Sequence, residues 1–355
     1  MTLIQILLAL QDANISPINP WIGLFLLQKL TNEQKCAIIL SHERGDVMPI
    51  NEYGMNSDYI KYFSLEEYIE RIKLLDKLLF HLDETCKDFD EYMNLISYYA
   101  GEEIINYWIQ TAHQELRASQ DIENSKFNEG ILQEKGVFFD KLSISHKRIH
   151  DLHNFVMTSS DESFIPTNTY RKTPVNISRY TSSGEEEIFW RGANPEDVYK
   201  FMTDFIGIYK QNKISLLYSN PFLVASLMSL LFNRIHPYTD GNGRTSRIIY
   251  NLKFTEQINK NYQIKLMLSP LNISNRILAN KYTYVNRINQ ITFNLKDDTN
   301  EAINNWFDFI LTMADEQLNY SKARLTELID QSCRQENTSP EILRRVKQMK
   351  ISKIK

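Results

Sequence analysis

Residues 222–235 are apolar on almost every side: Phe222, Leu223, Val224, Leu227, Met228, Leu230, Leu231, Phe232 and Ile235. A helix with no polar face has to lie centrally, with other elements packed around it. Ser219-Asn220-Pro221 is a helix-start signal with Pro at a first-turn position. The apolar run ends at His236, so the segment that follows sits at the edge of the core. That segment, residues 236–247, reads His-Pro-Tyr-Thr-Asp-Gly-Asn-Gly-Arg-Thr-Ser-Arg.

These dozen residues combine a base (His236), a hard-metal ligand (Asp240), a Gly-Asn-Gly turn and two guanidinium groups (Arg244 and Arg247). A Gly-rich turn frees backbone N–H groups to point at phosphate oxygens. A helix beginning near Gly243 adds its positive dipole end. Arg244 and Arg247 are three apart, so they share a face of that helix and can both reach a phosphate chain. Ile248, Ile249, Leu252 and Phe254 carry the same helix inward. A His titrates near neutrality and can take a proton, and one carboxylate plus phosphates is a usual Mg²⁺ site. Phosphoryl transfer needs positioning and charge neutralisation more than covalent chemistry.

The segment resembles the Fic family signature, His-x-Phe-x-Asp/Glu-Gly-Asn-Gly-Arg-x-x-Arg, with Tyr238 where the family has Phe. Tyr is a mild departure there, provided its hydroxyl finds a partner. The resemblance implies transfer of AMP from ATP to a Tyr, Thr or Ser hydroxyl of a target protein, with release of pyrophosphate. His236 would be the general base and Asp240 would hold Mg²⁺ (or Mn²⁺). Gly241, Asn242 and Gly243 would cradle the α-phosphate. Arg244 would contact the phosphate chain and Arg247 the γ-phosphate, with Thr245 and Ser246 completing the nucleotide-binding stretch.

The remaining segments are read around this loop. Residues 1–110 have helical spacing and no motif, and form an N-terminal helical layer; Leu65, Tyr68, Ile69, Ile72 and Leu75 mark one helix over 65–82, and Tyr92, Leu95, Ile96 and Tyr99 another over 91–118. Ser125-Lys-Phe-Asn-Glu129-Gly130 is similar to the inhibitory motif Ser/Thr-x-x-x-Glu-Gly/Asn of one Fic class. This places an inhibitory helix at about 120–131, with Glu129 pairing Arg247 and so competing with phosphate. Residues 141–158 form an amphipathic helix similar to the one that opens the Fic core. Its His150 and His153 are read as core or surface histidines rather than metal ligands. Residues 166–192 give a β-hairpin signal, and the resemblance makes residues 170–190 a flap that docks the target segment as an added strand. A helix starts at Pro195 and runs to about 211. Tyr284, in Asn280–Ile288, stands near the nucleobase by the same resemblance.

The chain has 355 residues with 43% hydrophobic and 24% charged, an ordinary globular balance. Its net charge of −4 disfavours nucleic acid as a partner, despite a basic tail from Arg344 to Lys355. The three cysteines, Cys36, Cys86 and Cys333, are far apart and odd in number, which favours a reducing cytoplasm. No run approaches a transmembrane span.

The expected architecture is mainly α: a Fic-type helical core at 111–320 with a small β-hairpin flap, the N-terminal helical region 1–110, and a basic helical tail 321–355. The expected function is an autoinhibited protein adenylyltransferase. Three alternatives stay open: a de-AMPylating hydrolase using Glu129, a non-catalytic regulatory or antitoxin-like protein, and a transcription factor acting through the basic tail. A homo-oligomer is compatible with all of them; a membrane partner is not expected.

Overall fold

The computed structural model describes residues 60–98, 102–126, 142–161, 163–180, 186–211, 216–264, 266, 269–291 and 300–335. They form a mainly α-helical fold. In chain order the elements are α1 Leu65–Glu70, α2 Asp76–Tyr98, α3 Glu102–Ile122, α4 His146–Thr158, β1 Asn176–Tyr180, β2 Glu186–Arg191, α5 Val198–Lys210, α6 Leu216–Ser219, α7 Pro221–Ile235, α8 Asn242–Asn261, α9 Ser274–Ala279, α10 Lys281–Gln290 and α11 Asn300–Gln335.

The all-apolar segment is the central helix α7. Asn220 caps it, its Oδ1 accepting from the N–H groups of Phe222 and Leu223 at 3.0 and 3.2 Å. Pro221 fills a first-turn position whose N–H would have no intrahelical partner. Every residue from Pro221 to Ile235 except Asn233 is buried. α8 packs along α7, and α5, α6 and α11 close around it. Phe222 meets Phe89 edge-on at 5.5 Å and Phe254 at 5.1 Å, which joins α2, α7 and α8 in one core.

The N-terminal helices belong to this core: α2 runs along α11, and α3 packs on α9 and α8. α3 passes unbroken through residue 110, and α11 through residue 320, so the divisions expected there fall inside continuous helices. The helix expected over 65–82 is two helices, α1 and α2. The break is held by distant partners that spacing cannot reveal. Asn300 Oδ1 accepts from Lys73 N and Asn304 Oδ1 from Leu75 N, while Asn304 Nδ2 donates to Lys73 O. The helix expected from Pro195 begins three residues later, at Val198, and that expected from 141 begins after the Ser145 cap.

β1 and β2 pair antiparallel, Asn176 opposite Arg191 and Ile177 opposite Trp190, with a bulge before Ser178 opposite Ile188. Residues 169–175 are not strand, and residues 181–185, which join the two, lie outside the described residues. The sheet stands on the end of α7: Ala193 N donates to Ile235 O at 3.2 Å, and Ile60 bridges Ala193 in parallel. Among the described residues no helix is long and apolar enough to cross a membrane.

Candidate active site

The loop between α7 and α8 carries the candidate site. His236 caps α7 in the left-handed region, φ 55° and ψ 62°, which few residues with a Cβ adopt. Its Nδ1 lies 3.2 Å from Asn233 O, so Nδ1 is the donor and Nε2 carries the lone pair. Burial pushes the imidazole down, the bond to Asn233 opposes this, and the Arg171 charge adds to it; the net value is about 4. The ring is therefore a neutral base at neutral pH.

The next turn is built by packing from α4. Gly241 has φ 77°, and a Cβ there would fall 2.6 Å from Met157 Sδ and 3.2 Å from His153 Nε2, so only glycine fits. His153 is held near 4, mainly by burial, and its neutral ring donates from Nε2 to Asp240 O at 3.0 Å. It also stacks on Tyr238 at 3.6 Å with planes 10° apart. The Tyr238 hydroxyl bonds His150 Nδ1 at 2.7 Å, which supplies the partner that Tyr in place of Phe requires. His150 and His153 are thus core histidines that shape the loop.

The other signature residues divide between surface and scaffold. The Asp240 side chain is 70% exposed; Oδ1 accepts from Gly241 N at 2.5 Å and Oδ2 pairs with Arg244 Nη2 at 3.1 Å. Asn242 staples the loop, accepting from Tyr238 N and donating to Tyr238 O. The first turn of α8 leaves its leading N–H groups without intrahelical partners. Thr245 and Ser246 turn their hydroxyls back onto Gly241 O and Gly243 O, within the first turns of α8. Arg244 is buried, with Nη1 donating to Gln120 Oε1 at 3.0 Å and Ser160 Oγ at 2.8 Å. Tyr284 is buried behind Arg247, 3.5 Å from its Nη1, against Trp306 and Phe309.

Arg247 is clamped by α3. Its Nε donates to Ser119 Oγ at 2.8 Å, and Nη2 donates to Ser119 O at 2.7 Å and to Glu123 Oε1 at 2.9 Å. The same Glu123 oxygen lies where a Cβ on Gly243 would fall, so the carboxylate covers the mouth of the turn. Burial disfavours the Arg247 charge, and the Glu123 charge more than compensates.

The inhibitory helix expected at 120–131 stops at Ile122 within the described residues. Asn124 takes φ 53°, Asn124 N bonds Asp121 O, and Ser125 N bonds Gln120 O, both at 3.0 Å. That is a Schellman ending, with Asn supplying the left-handed residue. Ser125 is therefore past the helix, and Glu129 lies outside the described residues. The pattern Ser/Thr-x-x-x-Glu-Gly/Asn in fact occurs twice in succession, as Ser119 to Asn124 and as Ser125 to Gly130. The expectation attached to the second; the contacts with Arg247 come from the first. Gln120, and the contact of His153 with Asp240, are visible only in space.

Residues 143–253 match the sequence model of the Fic/DOC family. They run from just before α4 through the first half of α8 and include the whole loop. None of the curated proteins matches the chain. Among solved structures, a Fic family protein from Desulfovibrio desulfuricans G20 is similar at a TM-score of 0.51 and 15% identity, over 71% of this chain and 76% of that one. Fic-1 from C. elegans aligns at 0.46 and 16% identity, over 72% of each chain. A Fic domain containing signaling protein from Bacteroides thetaiotaomicron VPI-5482 aligns at 0.37 and 17%, over 72% and 91%. The first of these likenesses establishes a Fic-like fold.

Proposed function

We propose that the chain is a protein adenylyltransferase of the Fic type, held inactive by its own α3. The observation that carries this reading is the meeting of a neutral, oriented base with a phosphate-shaped turn that a carboxylate already covers. His236 Nε2 would take the proton of a Tyr, Thr or Ser hydroxyl as that oxygen attacks the α-phosphorus of ATP and pyrophosphate leaves. The backbone N–H groups at Gly241–Gly243 would receive the charge that develops on the α-phosphate. Arg247 would hold the γ-phosphate once released. A protein target would present its hydroxyl along the β1–β2 pair.

The donor set fits a divalent cation. Asp240 offers one exposed, hard carboxylate, and Mg²⁺ commonly keeps several waters and takes one protein ligand plus phosphates. Bound there, the ion would neutralise phosphate charge.

Glu123 replaces Glu129 as the inhibitory carboxylate in this proposal. It occupies Arg247, and it sits on Gly243 where an anion would come. A second reading has the same support: Glu123 at that position could hold a water for hydrolysis of AMP from a modified protein. Wild type, Glu123→Gly and Glu123→Gly/His236→Ala, incubated with ATP labelled in the α-phosphate, separate the two. Labelling of self or lysate protein by the single variant alone supports inhibited transfer. Stripping of a pre-labelled protein by wild type but not by Glu123→Gly supports hydrolysis. No labelling and no stripping by any of them overturns both.

A further inference from the structure

Arg171 enters the site from outside the signature. It precedes β1, is 6% exposed, and spends its guanidinium on three backbone carbonyls of separate segments. Nε donates to His236 O at 2.6 Å, Nη2 to Ala193 O at 2.5 Å, and Nη1 to Thr173 O at 2.8 Å. Its own N–H donates to Pro237 O at 2.9 Å. Thr173 lies just before β1 and Ala193 just after β2, so one planar group touches both feet of the strand pair and the peptide of the base. Gly192 leaves the room: a Cβ there would meet Arg171 Nη2 at 2.9 Å and His236 Cβ at 3.1 Å. Neighbouring Tyr170 fixes the segment from the other side, packing on His150 at 4.6 Å and Tyr238 at 5.6 Å.

The consequence follows from the His236 backbone. A left-handed residue with a Cβ persists only where its surroundings over-determine it. The direction of the imidazole depends on that one peptide, whose carbonyl Arg171 holds. A displacement of about 1 Å at a reacting group can cost about 10²-fold in rate. We propose that Arg171 is a positioning residue that sets the His236 peptide and links it rigidly to the base of the β1–β2 pair, so that a target strand docked on that pair finds the base in register. Lysine cannot substitute, because an ammonium is a point donor and the three carbonyls need a planar fork.

This inference rests on the transferase reading, and the test keeps the two apart. Arg171→Lys and Arg171→Met are made in the full chain carrying Glu123→Gly. Two measurements are taken: kcat and KM for ATP-dependent labelling, and amide hydrogen exchange across the chain by mass spectrometry. The expected result is a kcat lower by about 10- to 100-fold in both variants, with KM for ATP nearly unchanged. Exchange should quicken at residues 235–241 and at the feet of the sheet, and nowhere else. Parental exchange at that loop overturns the proposal. So does exchange that rises uniformly through the core, which would make Arg171 a general stabiliser. Full activity in Arg171→Lys would overturn it too, since charge alone would then suffice. If the Glu123→Gly parent labels nothing, the transferase reading fails, and the exchange data still decide whether Arg171 holds the loop.

Discussion

At the scale of single residues, the site depends on a few side chains that no neighbour can replace. His236→Ala in the Glu123→Gly background should lower labelling by about 10²–10⁴-fold, the usual cost of losing a general base. The pH profile of the parent should keep its acid limb well below the ordinary histidine range, toward about 4, because burial holds His236 neutral. A limb near the ordinary histidine value in the rate profile would argue for another base. Tyr238→Phe removes the hydroxyl on His150 and strands a buried nitrogen, a change expected to cost about 1–3 kcal/mol in denaturant unfolding. Activity should survive that change, since the ring stacked on His153 remains. Asp240→Ala should lose metal-dependent labelling while melting like the parent, because the side chain is exposed and only its partner Arg244 is buried.

At the scale of elements, the end of α3 is where the proposed inhibition is tested, since it sets Glu123 on Arg247. The Schellman ending places Glu123 on Arg247 because Asn124 accepts a left-handed backbone. Asn124→Gly keeps that backbone and should leave wild-type labelling low. Asn124→Val opposes it by about 1–2 kcal/mol, the price of the left-handed form for a residue with a Cβ, and should raise labelling part of the way toward Glu123→Gly. Equal labelling by all three would mean that the turn does not control the clamp. Gln120 reinforces the same contact: it accepts from Arg244 and donates to Val156 O and Ser159 Oγ, so α3 is stitched to α4 and α8 together.

At the scale of the whole molecule, α2, the helix that precedes α3 in the chain, is anchored on α11. His81 on α2 lies 2.7 Å from Asp308 and 2.8 Å from Asp315 on α11, one carboxylate at each ring nitrogen. Burial lowers its proton affinity, but the bonds to Asp308 and Asp315 outweigh this, and the net shift is upward. A histidine with a raised folded value stabilises fully below its unfolded value and loses that contribution as pH rises through the folded one. Replacement by Asn should therefore lower the melting temperature more in mildly acid than in mildly alkaline buffer. An identical loss in both would show that the ring's charge contributes nothing to holding α2 on α11.

The sequence by itself determined the central helix and the loop that follows it. An all-apolar run has one stable place in a folded chain, and a Gly-Asn-Gly turn between a His and two Arg residues has few uses; both are local facts. Asn220 and Pro221 as a helix start were legible for the same reason, because capping acts within one turn. Only the tertiary structure decided which of two adjacent Ser-x-x-x-Glu strings meets Arg247, because both satisfy the pattern and the choice depends on where α3 ends. It also broke the helix expected over 65–82, through Asn300 and Asn304, whose bonds to Lys73 and Leu75 cross more than two hundred residues. The hydroxyls of Thr245 and Ser246 turn back onto Gly241 O and Gly243 O, contacts that spacing alone did not show. Arg171, Gln120 and the bond from His153 to Asp240 left no trace in spacing, because each acts through backbone or side-chain groups that only the folded chain brings within hydrogen-bond reach.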